Sequence, residues 1–145
     1  MAKLTHGEMK ALVEKHLAAE HAKDLEGIMA TLSANPRFEY HPLGYALQGR
    51  VVVEEKYRRT ISGLFARATT FLKHEEWFNE DSAVCEDAVQ CRRSDGKLVT
   101  LSGLSIITFE GDKICGERMY FDDECSRYMD ELLKDFWSFP GVSKI

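Results

Sequence analysis

The sequence predicts an α+β fold: a cone-shaped, curved antiparallel sheet wrapped around three N-terminal helices, with a closing C-terminal helix. Three observations carry this. Apolar residues recur at helical spacing as far as residue 64 and at strand alternation from residue 70 onward. Two long apolar runs, 98–109 and 113–121, are joined by Gly111-Asp112, the composition of a tight hairpin turn. Helices and strands are segregated along the chain rather than alternating, which favours an antiparallel sheet. A twisted sheet covered by helices on one face curls around them and leaves a conical interior, where a ligand pocket is expected.

At 145 residues the chain fits one domain, residues 1–145, and its 44% hydrophobic and 30% charged content is that of a globular protein. A net charge of −5 with only isolated basic pairs, Arg58-Arg59 and Arg92-Arg93, argues against nucleic acid as a partner. The start, Met1-Ala2-Lys3-Leu4-Thr5-His6, has no apolar signal core, and no run approaches the ~20 apolar residues that span a bilayer. The cysteines, Cys85, Cys91, Cys115 and Cys125, form no C-x-x-C pair and fall in or beside predicted strands. They are expected to be reduced thiols in a cytoplasmic protein.

Thr5-His6-Gly7-Glu8 reads as a capping box that opens a helix over 8–21. Its apolar face is Met9, Leu12, Val13 and Leu17; His16 lies on that face and Glu20 continues it. Asp24 caps a second helix carrying Leu25, Ile28, Met29 and Leu32, which is expected to stop in a turn at Ser33-Ala34-Asn35-Pro36. A short strand over 37–41 places Phe38 and Tyr40 on one side. Pro42, Gly44 and Gly49 mark a loop carrying Tyr45 and Leu47, a candidate pocket rim. The third helix, 51–64, buries Val52, Val53, Tyr57, Ile61 and Leu64.

Strands over 70–79, with Phe71, Trp77 and Phe78, and over 82–92 then lead through Ser94-Asp95-Gly96 into the hairpin, completing a four-stranded meander. Asp122-Asp123-Glu124 opens the last helix, where carboxylates favour the positive end of the dipole. It carries Tyr128, Met129, Leu132 and Leu133 and runs into Phe136-Trp137-Ser138-Phe139-Pro140.

A regular two-residue turn sorts the hairpin into faces. One face would hold Ser102, Leu104, Ile106, Cys115, Glu117, Met119 and Phe121. The other would hold Leu101, Gly103, Ser105, Ile107, Phe109, Ile114, Gly116, Arg118, Tyr120 and Asp122. Glu117 is the ionisable side chain of the first face, and a carboxylate desolvated among Leu104, Ile106, Met119 and Phe121 is a candidate acid or base.

This arrangement resembles the nuclear transport factor 2-like superfamily, in particular its SnoaL-like branch of ketosteroid isomerases, limonene epoxide hydrolases and polyketide cyclases. The resemblance covers residues 8–133 and rests on diffuse patterns. These are Ala22-Lys23-Asp24-Leu25-Glu26-Gly27-Ile28, the Phe38…His41-Pro42-Leu43…Gly49 segment, Phe109-Glu110-Gly111-Asp112-Lys113-Ile114, and Glu117-Arg118-Met119-Tyr120-Phe121-Asp122.

The resemblance implies the cone fold, a pocket for a hydrophobic small molecule, and a homodimer through the outer sheet face with Ile107, Phe109, Ile114 and Tyr120. It does not carry over the family's catalytic sets. His16 stands where ketosteroid isomerases place a tyrosine, and His41 where they place the general-base aspartate. Leu104 or Ser105 stands where they keep a protonated aspartate. The epoxide hydrolases' Arg-x-Asp strand reads Glu86-Asp87-Ala88-Val89-Gln90, and Met119 replaces their second aspartate, as it does the acid/base aspartate of the cyclases.

The polar set that remains is His16, Tyr40, His41 and Glu117. Histidine changes charge near neutral pH and suits proton transfer. The first expectation is therefore an isomerase, lyase or cyclase acting on a ketone-bearing or polycyclic molecule. His41 would be the base, Glu117 and His16 its partners, and Tyr40, Tyr45, Tyr57, Trp77, Leu104, Met119 and Phe121 the lining. The alternative is a non-catalytic ligand-binding or homodimeric scaffold of the same fold. No cofactor is expected, and no compact ligand spacing points to a metal. No Ser-His-Asp, phosphate-loop or dinucleotide signature is present.

Overall fold

The computed structural model describes residues 2–145. In chain order the elements are α1 (His6–His21), α2 (Leu25–Ala30), β1 (Leu32–Tyr40), β2 (Tyr45–Gln48), α3 (Arg50–Gly63), β3 (Ala68–Phe78), β4 (Ser82–Arg92), β5 (Leu98–Glu110), β6 (Lys113–Phe121), α4 (Asp123–Leu132) and β7 (Val142–Lys144). Short 3-10 turns lie at Phe65–Arg67 and Phe136–Ser138. The fold is α+β, with the strands in one open, curved sheet ordered β3-β4-β5-β6-β1-β2-β7.

Local chemistry sets the helix ends. The Thr5 hydroxyl accepts from the Glu8 backbone N–H at 3.2 Å, and the Glu8 carboxylate accepts from the Thr5 N–H at 2.8 Å. Asp24 caps α2 through the Gly27 N–H, and Asp122 caps α4 through the Cys125 N–H at 2.8 Å. α3 buries Val52, Val53 and Tyr57, each burial being worth about 1.5–3 kcal/mol at most.

The second helix is shorter than its apolar spacing predicts, and residues 32–36 are strand rather than turn. The Thr31 hydroxyl donates to the Ile28 carbonyl at 2.6 Å, while the Thr31 carbonyl accepts from the Ile114 N–H at 2.9 Å. That second bond draws the chain out of the helix and alongside β6. The Arg50 guanidinium fixes the exit, donating to the carbonyls of Met29, Leu32 and Ser33 at 2.9–3.1 Å. Pro36 is accommodated where the β1–β6 register shifts, between Leu32 and Arg37. β1 runs parallel to β6, so the sheet is mixed beyond its antiparallel β3–β6 meander.

The segment read as a loop at 45–48 is β2, folded back on β1 through Gly44 at φ +76°. β7 then pairs antiparallel with β2, an element the sequence pattern did not reveal.

Two β-bulges decide which side chains face inward. On β6, Gly116 opposes Thr108 but Ile114 opposes Phe109, leaving Cys115 as the extra residue. On β3, Lys73 opposes Asp87 but Glu75 opposes Glu86, leaving His74 extra. One inserted residue reverses the facing of everything beyond it. The hairpin faces are therefore recombined. Cross-strand rows on the concave side run Ala83–Ile107–Glu117–Phe38, Cys85–Ser105–Met119–Tyr40 and Asp87–Gly103–Phe121. Leu104, Ile106, Arg118 and Tyr120 share the convex side. Ile107 and Ile114, expected on the outer face, are buried in the core.

Candidate functional site

The concave face, α1, α3 and α4 enclose a cavity of about 240 Å³. Its walls are mainly apolar, with Leu64, Phe65, Leu101, Met119, Phe121 and Met129 among them. Its mouth lies between the end of α1 and β3, where Phe71 and Leu72 line the cavity yet each remain 37% exposed. His21 stacks on Phe71 there, with ring centroids 3.9 Å apart.

Polar side chains also line this space. Glu117 arrives on β6, Asp87 on β4, Tyr40 on β1, Glu20 on α1 and Lys56 on α3. The Tyr40 hydroxyl is fully buried and has no hydrogen-bond partner among the described residues. Burial first, and the nearby Glu117 charge second, push the Tyr40 phenol well above its ordinary range, so it stays a neutral donor. Asp87 is pushed up to about 6, by burial and then by repulsion from Glu76 and Glu117, against the pull of Lys73. Lys56 is only 5% exposed, and its ammonium lies 3.7 Å from the Tyr57 ring centroid and 5.3 Å from that of Phe38. Burial lowers the Lys56 amine, opposed by the charges of Glu117 and Glu20.

Behind this wall lies a second layer. The His16 Nδ1 is 2.6 Å from the Thr31 hydroxyl, its Nε2 is 3.0 Å from the Tyr57 hydroxyl, and Nε2 is 3.3 Å from a Glu20 oxygen. Because Thr31 gives its hydrogen to Ile28, Nδ1 must be the donor to Thr31. Nε2 then accepts from Tyr57 when the ring is neutral and donates to Glu20 when it is charged. Burial raises Glu20, but the His16 hydrogen bond and charge, with Lys56 and Tyr57, outweigh it and hold the carboxyl below its ordinary value.

The expected residues are thus divided. Glu117, Tyr40, Met119 and Phe121 line the cavity; His16 and Tyr57 form the layer behind it. His41 is corrected to the convex face: it follows Tyr40 with the opposite strand parity, bonds Glu39 at 2.7 Å and stacks on Tyr120 at 4.7 Å. Leu104 is likewise outward, reversed by the Cys115 bulge, and Trp77 is turned out by the His74 bulge and 49% exposed. Tyr45 stacks on Trp137 at 4.4 Å, away from the cavity.

Sequence reasoning missed Lys56 and Asp87 as lining, although each left a trace. Lys56 interrupts the apolar stripe Val52, Val53, Tyr57 one turn on, and Asp87 alternates with Cys85 and Val89. Among the described residues no group of three or more His, Cys, Asp or Glu side chains is placed to hold a metal, and no helix is long and apolar enough to cross a membrane.

No family model matches the sequence, and no curated protein matches it significantly. Solved structures do. An NTF2-like protein of unknown function from Cytophaga hutchinsonii superposes with a TM-score of 0.66 at 17% identity, over 79% of this chain and 99% of that one. A protein with a ketosteroid isomerase-like fold from Catenulispora acidiphila, crystallised with trimethylamine, gives 0.64 at 14% identity, over 77% and 85%. SalBIII, an epoxide hydrolase/cyclase-like enzyme of pyran ring formation in the polyether salinomycin, gives 0.70 at 13% identity, over 96% and 97%. The chain has the NTF2-like fold shared by these isomerase-like and epoxide hydrolase/cyclase-like proteins.

Proposed function

We propose that the cavity binds a small, largely apolar carbonyl compound and transfers a proton on it, as an isomerase, lyase or cyclase would. The observation that carries this reading is Asp87, a carboxyl poised near pH 6 in an apolar cavity that also holds an unpartnered tyrosine hydroxyl. The Tyr40 O–H donates to the carbonyl oxygen and stabilises negative charge developing there. The Asp87 carboxylate takes a proton from the adjacent carbon and returns it elsewhere on the molecule. Glu117 is the second acid/base group, and His16 is a positioning residue that orients Tyr57 and Glu20. A ~150 Å³ cavity accepts benzene, so this one suits roughly ten non-hydrogen atoms, a mono- or bicyclic compound rather than a larger polycycle.

The test is solvent deuterium exchange, followed by NMR, at the carbon beside the carbonyl of cyclohexanone-sized ketones. Exchange faster than free acetate gives, rising through about pH 6 and lost in Asp87→Asn, is the expected result. Saturable binding without exchange would replace catalysis with ligand carriage. The homodimer belongs to the same proposal, through the convex face now bearing Leu104, Ile106 and Tyr120. Sedimentation of Tyr120→Lys against the unaltered protein tests it.

A further inference from the structure

Lys56 is unused by the proton transfer above, and its position is unusual. Lysine is among the residues least often buried, yet this one sits on the inward stripe of α3 and borders the cavity. Neighbouring aromatic faces support the ammonium, and no hydrogen bond or ion pair ties it to another described residue. Two carboxylates, Glu20 and Glu117, line the same cavity and act on it through charge. Tyr40, whose buried hydroxyl has no partner among the described residues, lines the same space. A structural lysine would be expected to pair with one of those carboxylates, whereas this one borders the cavity with its ammonium over the Tyr57 ring and no carboxylate bonded to it.

We infer that Lys56 is a nucleophilic amine that captures an aldehyde or ketone in the cavity as an imine. The inference rests on the reading of the cavity as a carbonyl site. The ammonium first gives one proton to a carboxylate, Glu117 or Glu20. The nitrogen lone pair then attacks the carbonyl carbon, forming the C–N bond, while the carbonyl π pair moves to oxygen, which Tyr40 stabilises by donation. Proton transfer from nitrogen to oxygen gives the carbinolamine. The carboxyl returns its proton to the hydroxyl, the C–O bond breaks, and water leaves. The product is an iminium, so ammonium plus carbonyl becomes iminium plus water, with no oxidant or reductant involved. The iminium withdraws electrons from the neighbouring carbon, within the cavity Asp87 shares. The apolar wall also favours the neutral amine over the charged one, in keeping with the lowered Lys56 amine.

The test uses the full chain with cyclohexanecarbaldehyde and cyanoborohydride, which reduces an imine to a stable secondary amine, read by peptide mapping. Lys56 should be trapped at least about tenfold faster than the exposed Lys23 and Lys134, because the cavity holds the aldehyde beside it. Trapping should saturate with aldehyde and be blocked by cyclohexylmethanol, which fills the same space but forms no imine. Lys56→Arg keeps the charge beside Tyr57 and should abolish labelling at this site. If that variant does not fold, the site comparison within the unaltered protein still decides. Aldehyde binding seen by saturation-transfer NMR, with Lys56 trapped no faster than Lys23, overturns the imine and leaves the carbonyl site standing. Absence of binding overturns both.

Discussion

The Tyr57 hydroxyl lies 3.0 Å from His16 Nε2, tying α3 to α1 behind the cavity wall. His16 also reaches Thr31 at 2.6 Å, so one imidazole joins three separate elements of the chain. Both residues are buried, and removing one partner leaves the other's polar atom with Glu20 alone to turn to. His16→Phe is expected to cost about 2–4 kcal/mol in urea denaturation, and Tyr57→Phe about 1–2 kcal/mol. The double variant should lose less than the two single losses together, because the second change removes a group that has already lost this partner. Strict additivity would show that the contact contributes nothing of its own.

Asp87 makes stability fall as pH rises. Its carboxyl moves from the ordinary 3.8 to about 6 in the folded chain, so the folded state holds a proton that the unfolded state has released. Below about pH 4 both states are protonated and the group has no effect. Between about pH 4 and 6 the unfolded state is favoured progressively, and above that the loss is constant. At ~1.4 kcal/mol per unit the loss approaches 3 kcal/mol, and partial solvent access reduces it to about 2 kcal/mol. Asp87→Asn should therefore be more stable than the unaltered protein at pH 8 and should flatten the profile between pH 4 and 6, measured by urea midpoints. An unchanged profile would mean that the carboxyl is solvated.

Legibility of the site divides along strand parity. The helix caps, the helical stripes and the meander follow from local signals, and they recur in the structure because propensity and packing agree there. Facing in the hairpin does not follow, because the Cys115 bulge adds one residue and the adjacent Gly116 alone does not say which residue is extra. Glu117 reaches the cavity with Met119 and Phe121, while its supposed neighbour Leu104 lies outside. The exclusion of His41 was available from sequence: Phe38 and Tyr40 cannot share a face with the residue that directly follows. The Ser33–Pro36 segment misled for another reason, since what straightens it is Arg50, a partner distant in sequence.

His41 supplies the sharpest contrast with the catalytic role expected for it. Its ring pairs with Glu39 and stacks on Tyr120 at the convex surface, and neither neighbour lines the cavity. His41→Ala should change stability by less than about 1 kcal/mol, the usual scale of a half-exposed pair. It should leave both ketone binding and deuterium exchange at the level of the unaltered protein. A tenfold loss of exchange with binding intact would return His41 to the mechanism.

Gly103 stands between Asp87 and Phe121 in their cross-strand row, and the Phe121 ring occupies the space a side chain would take. A Cβ there would meet Phe121 Cδ1 at 2.8 Å and the Tyr120 carbonyl oxygen at 3.2 Å. The backbone oxygen is fixed by the sheet, so the ring must yield, and its way out is into the cavity. Gly103→Val is therefore expected to fill the space beside Asp87, at about 1–3 kcal/mol of stability for overpacking. Ketone affinity should fall by at least about tenfold, the effect of losing ~1.4 kcal/mol of contact, with Gly103→Ala falling between. Titration by saturation-transfer NMR on folded variants separates the two effects. If Gly103→Val binds as tightly as the unaltered protein, the ligand does not lie against Asp87, and the carboxyl near pH 6 is a by-product of burial rather than part of a reactive site.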